Sequence, residues 1–217
     1  MEKEFLNQQS QHWETSFSNK PEMFGLEPSF AAIKSLDIFK KNNIKKIVEL
    51  GAGLGRDTIY FAKNLIKCDA LDYSPSAIKN IDLKIKKNDL TQSIKTKIFD
   101  VRQKLPFKDG SIEACYSHML YCMALSTNEI KNLNKEIKRI LIPGGINIYT
   151  ARNFSDGDYK RGIHRGEDMY ESNGFIVHFF SKEKVNSLLD GFDNLILDQF
   201  DEGKFPRKLY FVVNKKV

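Results

Sequence analysis

Apolar positions along the chain switch between two periods. Short strand-like runs occur at 44–50, which is rich in β-branched residues, and at 68–72, 94–100, 111–120 and 146–152. Between them, apolar residues recur at helical spacing: Ile59, Tyr60 and Ala62; then Ala77, Ile78, Ile81 and Ile85; then Ile130, Leu133, Ile137 and Ile140. A run with period two or continuous burial reads as a strand, and a 3, 4 spacing reads as a helix face. Strands alternating with helices predict a mainly parallel sheet with crossover helices. Pro143, Gly144 and Gly145 stop the helix of 127–140.

The two ends of the chain break this alternation. Before the first strand, Phe30, Ile33, Leu36 and Phe39 predict a helix that Ser29 could cap. Residues 1–30 form a polar lead-in carrying His12, Trp13, Phe17 and Phe24, with breakers at Pro21, Gly25 and Pro28. It reads as an amphipathic edge helix, and also as a lid over whatever the domain binds. After the fifth strand, 152–180 reads as a long polar loop on the substrate side, followed by a short helix at 182–189. The last two strands, 195–200 and 208–213, are too close for a crossover helix, so they predict an antiparallel pair closing the sheet. All 217 residues then form a single domain.

The first strand runs straight into Gly51, Gly53 and Gly55 and then into a helix. A strand, a glycine turn and a helix start make a nucleotide pocket, because glycine lets a ligand approach the backbone and the helix start offers free N–H groups. The spacing is G-x-G-x-G and not the G-x-G-x-x-G of a dinucleotide binder. Asp72 ends the second strand, about twenty residues on, where an acid is expected to take ribose hydroxyls. Ser74 and Pro75 supply the cap and first turn of the next helix, which leaves Asp72 for the ligand. Asp100 ends the third strand, so two acids meet outside the carboxyl edge of the sheet.

Composition narrows the setting. Apolar residues are 41% and aromatics 12%, enough for a packed core. The net charge of +6 comes from lysines scattered along many segments, which suits solvated helix faces more than a nucleic-acid patch. Cys68, Cys115 and Cys122 form no framework and point to a reducing cytoplasm. No apolar run reaches transmembrane length, so no membrane is expected. The oligomeric state is left open.

The segments VELGAGLGRDTIYFA, ALDYSPSAI, IFDVRQKLPFKDGSIEACYSHML and IKRILIPGGINIYTARN resemble, in order, the motifs of class I S-adenosylmethionine-dependent methyltransferases. GRDTIYFA after the glycine turn is similar to the small-molecule branch that includes tellurite-resistance and thiopurine-type methyltransferases. The resemblance covers roughly positions 44 to 152. It implies a three-layer, Rossmann-like, doubly wound α/β fold with a mainly parallel seven-stranded sheet and an antiparallel C-terminal hairpin strand. It implies S-adenosyl-L-methionine as cofactor, with Glu49, Gly51, Ala52, Gly53 and Gly55 around its methionine part. Asp72 would hold the ribose, Tyr73 and Val101 would flank the adenine, and Asp100 would accept from its amino group. Ser117 and His118 would border the sulfonium. Ser117 departs from the Asn/Asp-Pro-Pro-aromatic stretch of enzymes that methylate base amino groups.

Methyl transfer from a sulfonium needs alignment and exclusion of water more than activation of the donor. Soft nucleophiles such as thiols or metalloid oxyanions need no proton acceptor, whereas alcohols and ammonium groups do. His118, just past the fourth strand, is the candidate acceptor, and Tyr121 the candidate for positioning. Each also reads as a packing or strand-end residue. Arg152, Arg161, Arg165 and Tyr170 could grip an anionic substrate. His164, Glu167, Asp168 and His178 match no familiar ligand spacing, so no metal is assigned. The alternatives are an RNA-modifying methyltransferase, a non-catalytic cofactor-binding module and an NAD-dependent oxidoreductase.

Overall fold

A computed structural model describes residues 3–203 and 206–217. The chain runs α1 (Lys3–Asn19), α2 (Phe30–Lys41), β1 (Lys46–Leu50), α3 (Arg56–Lys63), β2 (Lys67–Asp72), α4 (Pro75–Lys87), β3 (Ile94–Ile98), β4 (Ile112–Ser117), α5 (Thr127–Ile140) and β5 (Leu141–Arg152). It continues through β6 (Ile163–His164), β7 (Met169–Ser172), β8 (Phe175–His178), α6 (Lys182–Ser187), β9 (Phe192–Glu202) and β10 (Arg207–Lys216). The main sheet has seven strands in the order β3-β2-β1-β4-β5-β10-β9, and a second sheet joins β6, β7 and β8. Strand β10 runs antiparallel to both β5 and β9, as the short final connection predicts, while the other pairings of the main sheet are parallel.

Alternation along β1 sorts the core onto two faces. Ile47 packs with Leu36 and Phe39 of α2, Phe61 of α3 and Ile81 of α4. Val48 and Leu50 pack on the opposite face with Ile130, Leu133 and Ile137 of α5 and Val185 of α6. The sheet is therefore covered on both sides, which is why its central strands read as unbroken apolar runs. Helix starts follow the local chemistry. Ser29 and Ser74 cap α2 and α4, Pro75 opens α4, and Ser126 with Glu129 forms a capping box on α5.

The stretch 152–180 departs from the expected loop. It contains a small antiparallel sheet whose β7 and β8 are joined by Asn173 and Gly174, both at positive φ. That is the Asn-Gly hairpin signal, with its primed turn matched to strand twist. Successive strands leave β1 in opposite directions, β2 to one side and β4 to the other. A crevice opens where the order reverses, at the carboxyl ends of these strands.

Candidate active site

A cavity of about 410 Å³ occupies that crevice. One end is built by the glycine turn. Gly51 stands at φ +69, and a Cβ there would lie 3.0 Å from Leu120. Gly53 stands at φ +52 with only the Phe17 ring, 3.7 Å away, near its missing side chain. Both positions need glycine, and both keep backbone exposed to the cavity. Glu49, Ala52, Asp72 and Tyr73 complete this end.

The acids here brace the turn. Asp72 accepts from the Gly53 N–H at 2.8 Å and the Ser74 N–H at 2.9 Å, tying the glycine turn to the start of α4. Burial raises its pKa to about 6, although these backbone bonds pull the other way. Glu49 is 3% exposed and accepts from the Thr58 hydroxyl at 2.5 Å. Burial, and then the neighbouring charge of Asp57, push its pKa up to about 8. Asp57, missed from sequence, accepts from the Ser29 N–H and hydroxyl and from Tyr116 Oη, pinning the start of α2 to the sheet. A group entering beside Glu49 is favoured if it is cationic, since it would relieve crowded acids in a low-dielectric wall.

A smaller chamber of about 30 Å³ adjoins, sharing Trp13, Tyr73, Leu120 and Met123 with the main cavity. Asp100 and Val101 line it, with Gln9 and Ser10 of α1 as its cover. Asp100 is not an open acceptor. Both its oxygens receive Arg102 Nε at 3.0 Å, and Arg102 Nη2 adds a bond at 2.7 Å. Burial would raise its pKa, but those bonds hold it below the ordinary carboxylate value.

Another part of the cavity wall joins residues far apart in sequence. His118 Nε2 lies 3.1 Å from Glu202 Oε2, and Glu202 Oε1 takes Arg56 Nη2 at 2.7 Å. Burial would raise the pKa of Glu202, but His118 and Arg56 overcome it and hold it at about 2. His118 Nδ1 meets Thr150 Oγ1 at 3.0 Å, and that hydroxyl also accepts the Met119 N–H at 2.8 Å. Both imidazole nitrogens are thus engaged by the chain, so His118 reaches an acceptor atom only by exchanging one of these bonds. Arg56 lies in the GRDTIYFA segment, whereas Glu202 carries no local motif. The hairpin geometry of β9 and β10 is what brings Glu202 to the cavity.

Three of the expected site residues lie away from the cavity wall. Tyr121 does not face the cavity: it is fully buried, stacks on Tyr149 at 4.0 Å, donates to Asn134 Oδ1 and accepts from Asn147. The turn at Met119, φ +62, sends the chain back into the core one residue past His118. Ser117 is buried and off the cavity wall, with its hydroxyl meeting no partner among the described residues. Gly55 packs two helices together: a Cβ there would lie 2.6 Å from Ile81 Cγ1. Of the cationic set, Arg161 and Tyr170 line the cavity; Arg152 does so while bound to Asp156 and Asp158; Arg165 pairs with Glu171. His164 Nε2 meets the Glu167 carbonyl oxygen at 2.9 Å, His178 Nε2 lies 3.5 Å from Glu167 Oε2 and Asp168 faces Lys184, but no three His, Cys, Asp or Glu side chains are grouped to hold a metal among the described residues.

The residues suit S-adenosylmethionine. A glycine floor and crowded carboxylates suit its sulfonium and ammonium, beside a small chamber lined by Tyr73. Comparison with known proteins agrees. The family profile described as "Methyltransferase domain" matches residues 48–149. Phosphoethanolamine N-methyltransferase 1 of Triticum aestivum is 32% identical over 147 residues, 66% of this chain, and the chain spans only 26% of that protein. The Burkholderia thailandensis 1,6-didemethyltoxoflavin-N1-methyltransferase, solved with its substrate and S-adenosylhomocysteine, superposes with TM-score 0.75 at 13% identity over 96% of this chain and 87% of that one. TehB from Haemophilus influenzae gives TM-score 0.69 at 17% identity over 94% and 67%. Profile, ordered motifs and sheet topology converge on one assignment: the chain belongs to the class I S-adenosylmethionine-dependent methyltransferase superfamily, with S-adenosyl-L-methionine as its cofactor.

Proposed function

We propose that this chain is an enzyme that transfers a methyl group from S-adenosylmethionine to a small-molecule acceptor. The observation that carries the proposal is the continuity of one cavity from the Gly51–Gly53 turn to the cluster of Arg56, Glu202 and His118. A donor at the first end and an acceptor at the second would share a space walled by Met119, Leu120 and Phe179.

The bound cofactor supplies an activated methyl on a cationic sulfur. The chain's own residues do the rest. Gly51, Ala52 and Gly53 give the methionine part close contact with backbone, and Glu49 meets its positive charge. Asp72, braced by two backbone N–H groups, presents its remaining lone pairs to the ribose hydroxyls. Tyr73 and Val101 would flank the adenine, with Asp100, oriented by Arg102, at its edge. Apolar side chains from α1 and β8 exclude water from the transfer axis. His118 is held by Thr150 and Glu202 at the acceptor end. There it can take a proton from a protic acceptor such as an ammonium or alcohol once an imidazole bond is exchanged.

An acceptor of small size fits a cavity closed by Trp13, Phe17 and Phe24 better than a polynucleotide does. A dinucleotide fits less well. Its pyrophosphate would lie among Glu49, Asp57 and Asp72, where like charge disfavours it. The name of the wheat relative puts amines bearing a phosphate in the acceptor panel, beside the thiols and metalloids suggested by the glycine-turn resemblance. Calorimetry with S-adenosylhomocysteine and NAD, followed by transfer of a labelled methyl group to thiols, metalloid oxyanions, amines and carboxylates, tests this. Binding of NAD without binding of the thioether would overturn it.

A further inference from the structure

We propose that Arg161 and Arg207 form an anion subsite at the acceptor end of the cavity, so that the methyl acceptor is a small molecule carrying a carboxylate or phosphate group. The identity of the ligand as the acceptor rests on the methyltransferase function proposed above.

Most charged groups lining the cavity already have a partner. Arg56 is held by Glu202, Arg152 by Asp156 and Asp158, Asp72 by backbone N–H groups, and Glu49 by Thr58. Arg161 and Arg207 line the same cavity and take part in no ion pair among the described residues. Arg207 stands directly opposite Glu202 in the β9–β10 ladder. That carboxylate is already claimed by Arg56 and His118, which leaves the Arg207 guanidinium facing the cavity without its natural cross-strand partner.

The two arginines come from different elements, yet one buried residue braces the backbone beside each. Asp156 is 5% exposed. Its carboxylate accepts from Arg152, from the Asp158 N–H at 2.9 Å and from the Lys208 N–H at 2.9 Å. The Asp158 end of this hub continues into Arg161, whose N–H donates to the Asp158 carbonyl at 3.0 Å. The Lys208 end fixes the residue next to Arg207. Gly162, at φ +83, lets this loop press on β7, because a Cβ there would sit 2.0 Å from the Glu171 carbonyl oxygen. A buried hub that sets two unpaired arginines on one cavity is a prepared anion grip, since guanidiniums bind carboxylate and phosphate through paired N–H donors. Phe24, Phe179 and Tyr170 line the same end and suit the apolar body of such a ligand.

The test uses the full-length protein saturated with S-adenosylhomocysteine, titrated with phenyl phosphate, benzoate and neutral benzyl alcohol. Calorimetry gives affinity, and fluorescence of Trp13, the only tryptophan, reports from the cavity wall. Phenyl phosphate and benzoate are expected to bind about tenfold or more tightly than the alcohol. Their ratio distinguishes a phosphate grip from a carboxylate grip. The double variant R161A/R207A should bring both anions down to the level of the alcohol with S-adenosylhomocysteine affinity unchanged, and R161K/R207K should retain part of the preference. Equal binding of anion and alcohol to the parent protein overturns the subsite. So does an anion preference that survives in R161A/R207A. In either case, intact S-adenosylhomocysteine binding leaves the methyltransferase proposal standing, whereas loss of that binding in the parent protein counts against the proposal itself.

Discussion

Glu202 Oε2 lies 3.1 Å from His118 Nε2, joining the far end of β9 to the carboxyl end of β4 across 84 residues of sequence. The contact closes the acceptor end of the cavity and fixes the imidazole from the side opposite Thr150. Glu202→Gln keeps the size and part of the hydrogen bonding but removes the charge. Turnover is expected to fall by about ten- to a hundredfold, less than the roughly hundred- to ten-thousandfold that an acid–base group itself supplies, because Gln still orients the imidazole. The Kd for S-adenosylhomocysteine should stay within about twofold, because Glu202 is not among the residues proposed to hold the cofactor. Unchanged kcat with a protic acceptor would show that the pair is only a strand-end contact. The folded-state pKa of Glu202, about 2, lies below its ordinary 4.5. Its contribution to stability is therefore complete above 4.5 and lost as pH falls toward 2. The difference in Tm between parent and Glu202→Gln should shrink over that acid range.

Glu49 titrates the other way. Its pKa is raised from 4.5 to about 8, so the folded state binds a proton that the unfolded chain has released. Stability tied to this group is complete below 4.5 and is lost as pH rises through 8. Glu49→Gln can still accept from Thr58 and carries no titrating proton. Its Tm should gain on that of the parent between pH 6 and pH 8.5, a range chosen as roughly bracketing the raised value. Preference for the cationic donor over the neutral thioether should rise with pH in the parent and stay flat in the variant, because only an ionised Glu49 rewards the sulfonium charge. A pH-independent preference in both proteins would remove Glu49 from contact with the cofactor.

Helix α1 spans from α4 to the small sheet. Glu14 accepts from the hydroxyls of Ser74 and Ser76, and Gln9 bonds both Gly174 and Ile176 on the β7–β8 hairpin. Trp13 and Phe17 meanwhile line the cavity, and Gln9 and Ser10 cover the small chamber beside Tyr73. A chamber of about 30 Å³ is too small for a purine, so an adenine placed there would need this cover to lift. We propose that residues 1–30 act as the lid. Removing 1–19 should cut turnover far more than it lowers helical content by circular dichroism, and should raise the Kd of S-adenosylhomocysteine. Full activity in the truncated protein would refute a gating role.

The parts of the site legible in the sequence are those made by consecutive residues. The strand, glycine turn and helix of 44–62 and the acid at Asp72 depend on short-range geometry, and the structure places them as a unit. The final antiparallel pair follows from its short connection. What was not legible depends on tertiary neighbours. Asp100 looks like an open acceptor until Arg102, two residues on, folds back on it. Tyr121 looks adjacent to His118 until the backbone at Met119 turns it inward. Glu202 and Arg207 reach the cavity only through the register of β9 against β10. The small sheet is a different case: its Asn173-Gly174 signal was present, but Gly, Asp and Arg around it mask the two short strands.

Two glycines of the same turn separate fold from ligand. At Gly55 an added methyl would meet Ile81 Cγ1 at 2.6 Å, and the backbone already stands at φ +78. Gly55→Ala therefore combines left-handed strain with overpacking between α3 and α4, at a cost of about 2–4 kcal/mol in stability. At Gly53 an added methyl meets only the Phe17 ring, at 3.7 Å, so the cost is mainly the conformational one of about 1–2 kcal/mol. That methyl, however, points at the space between the turn and α1 where the cofactor should pass. Gly53→Ala is expected to retain most of its Tm while losing about tenfold or more in S-adenosylhomocysteine affinity, and Gly55→Ala to lose Tm with less effect on ligand binding in the protein that stays folded. The paired measurement is a thermal melt and a calorimetric titration on each variant. Equal loss of affinity in both variants would mean that turn strain, and not contact at Gly53, governs binding at this end of the cavity.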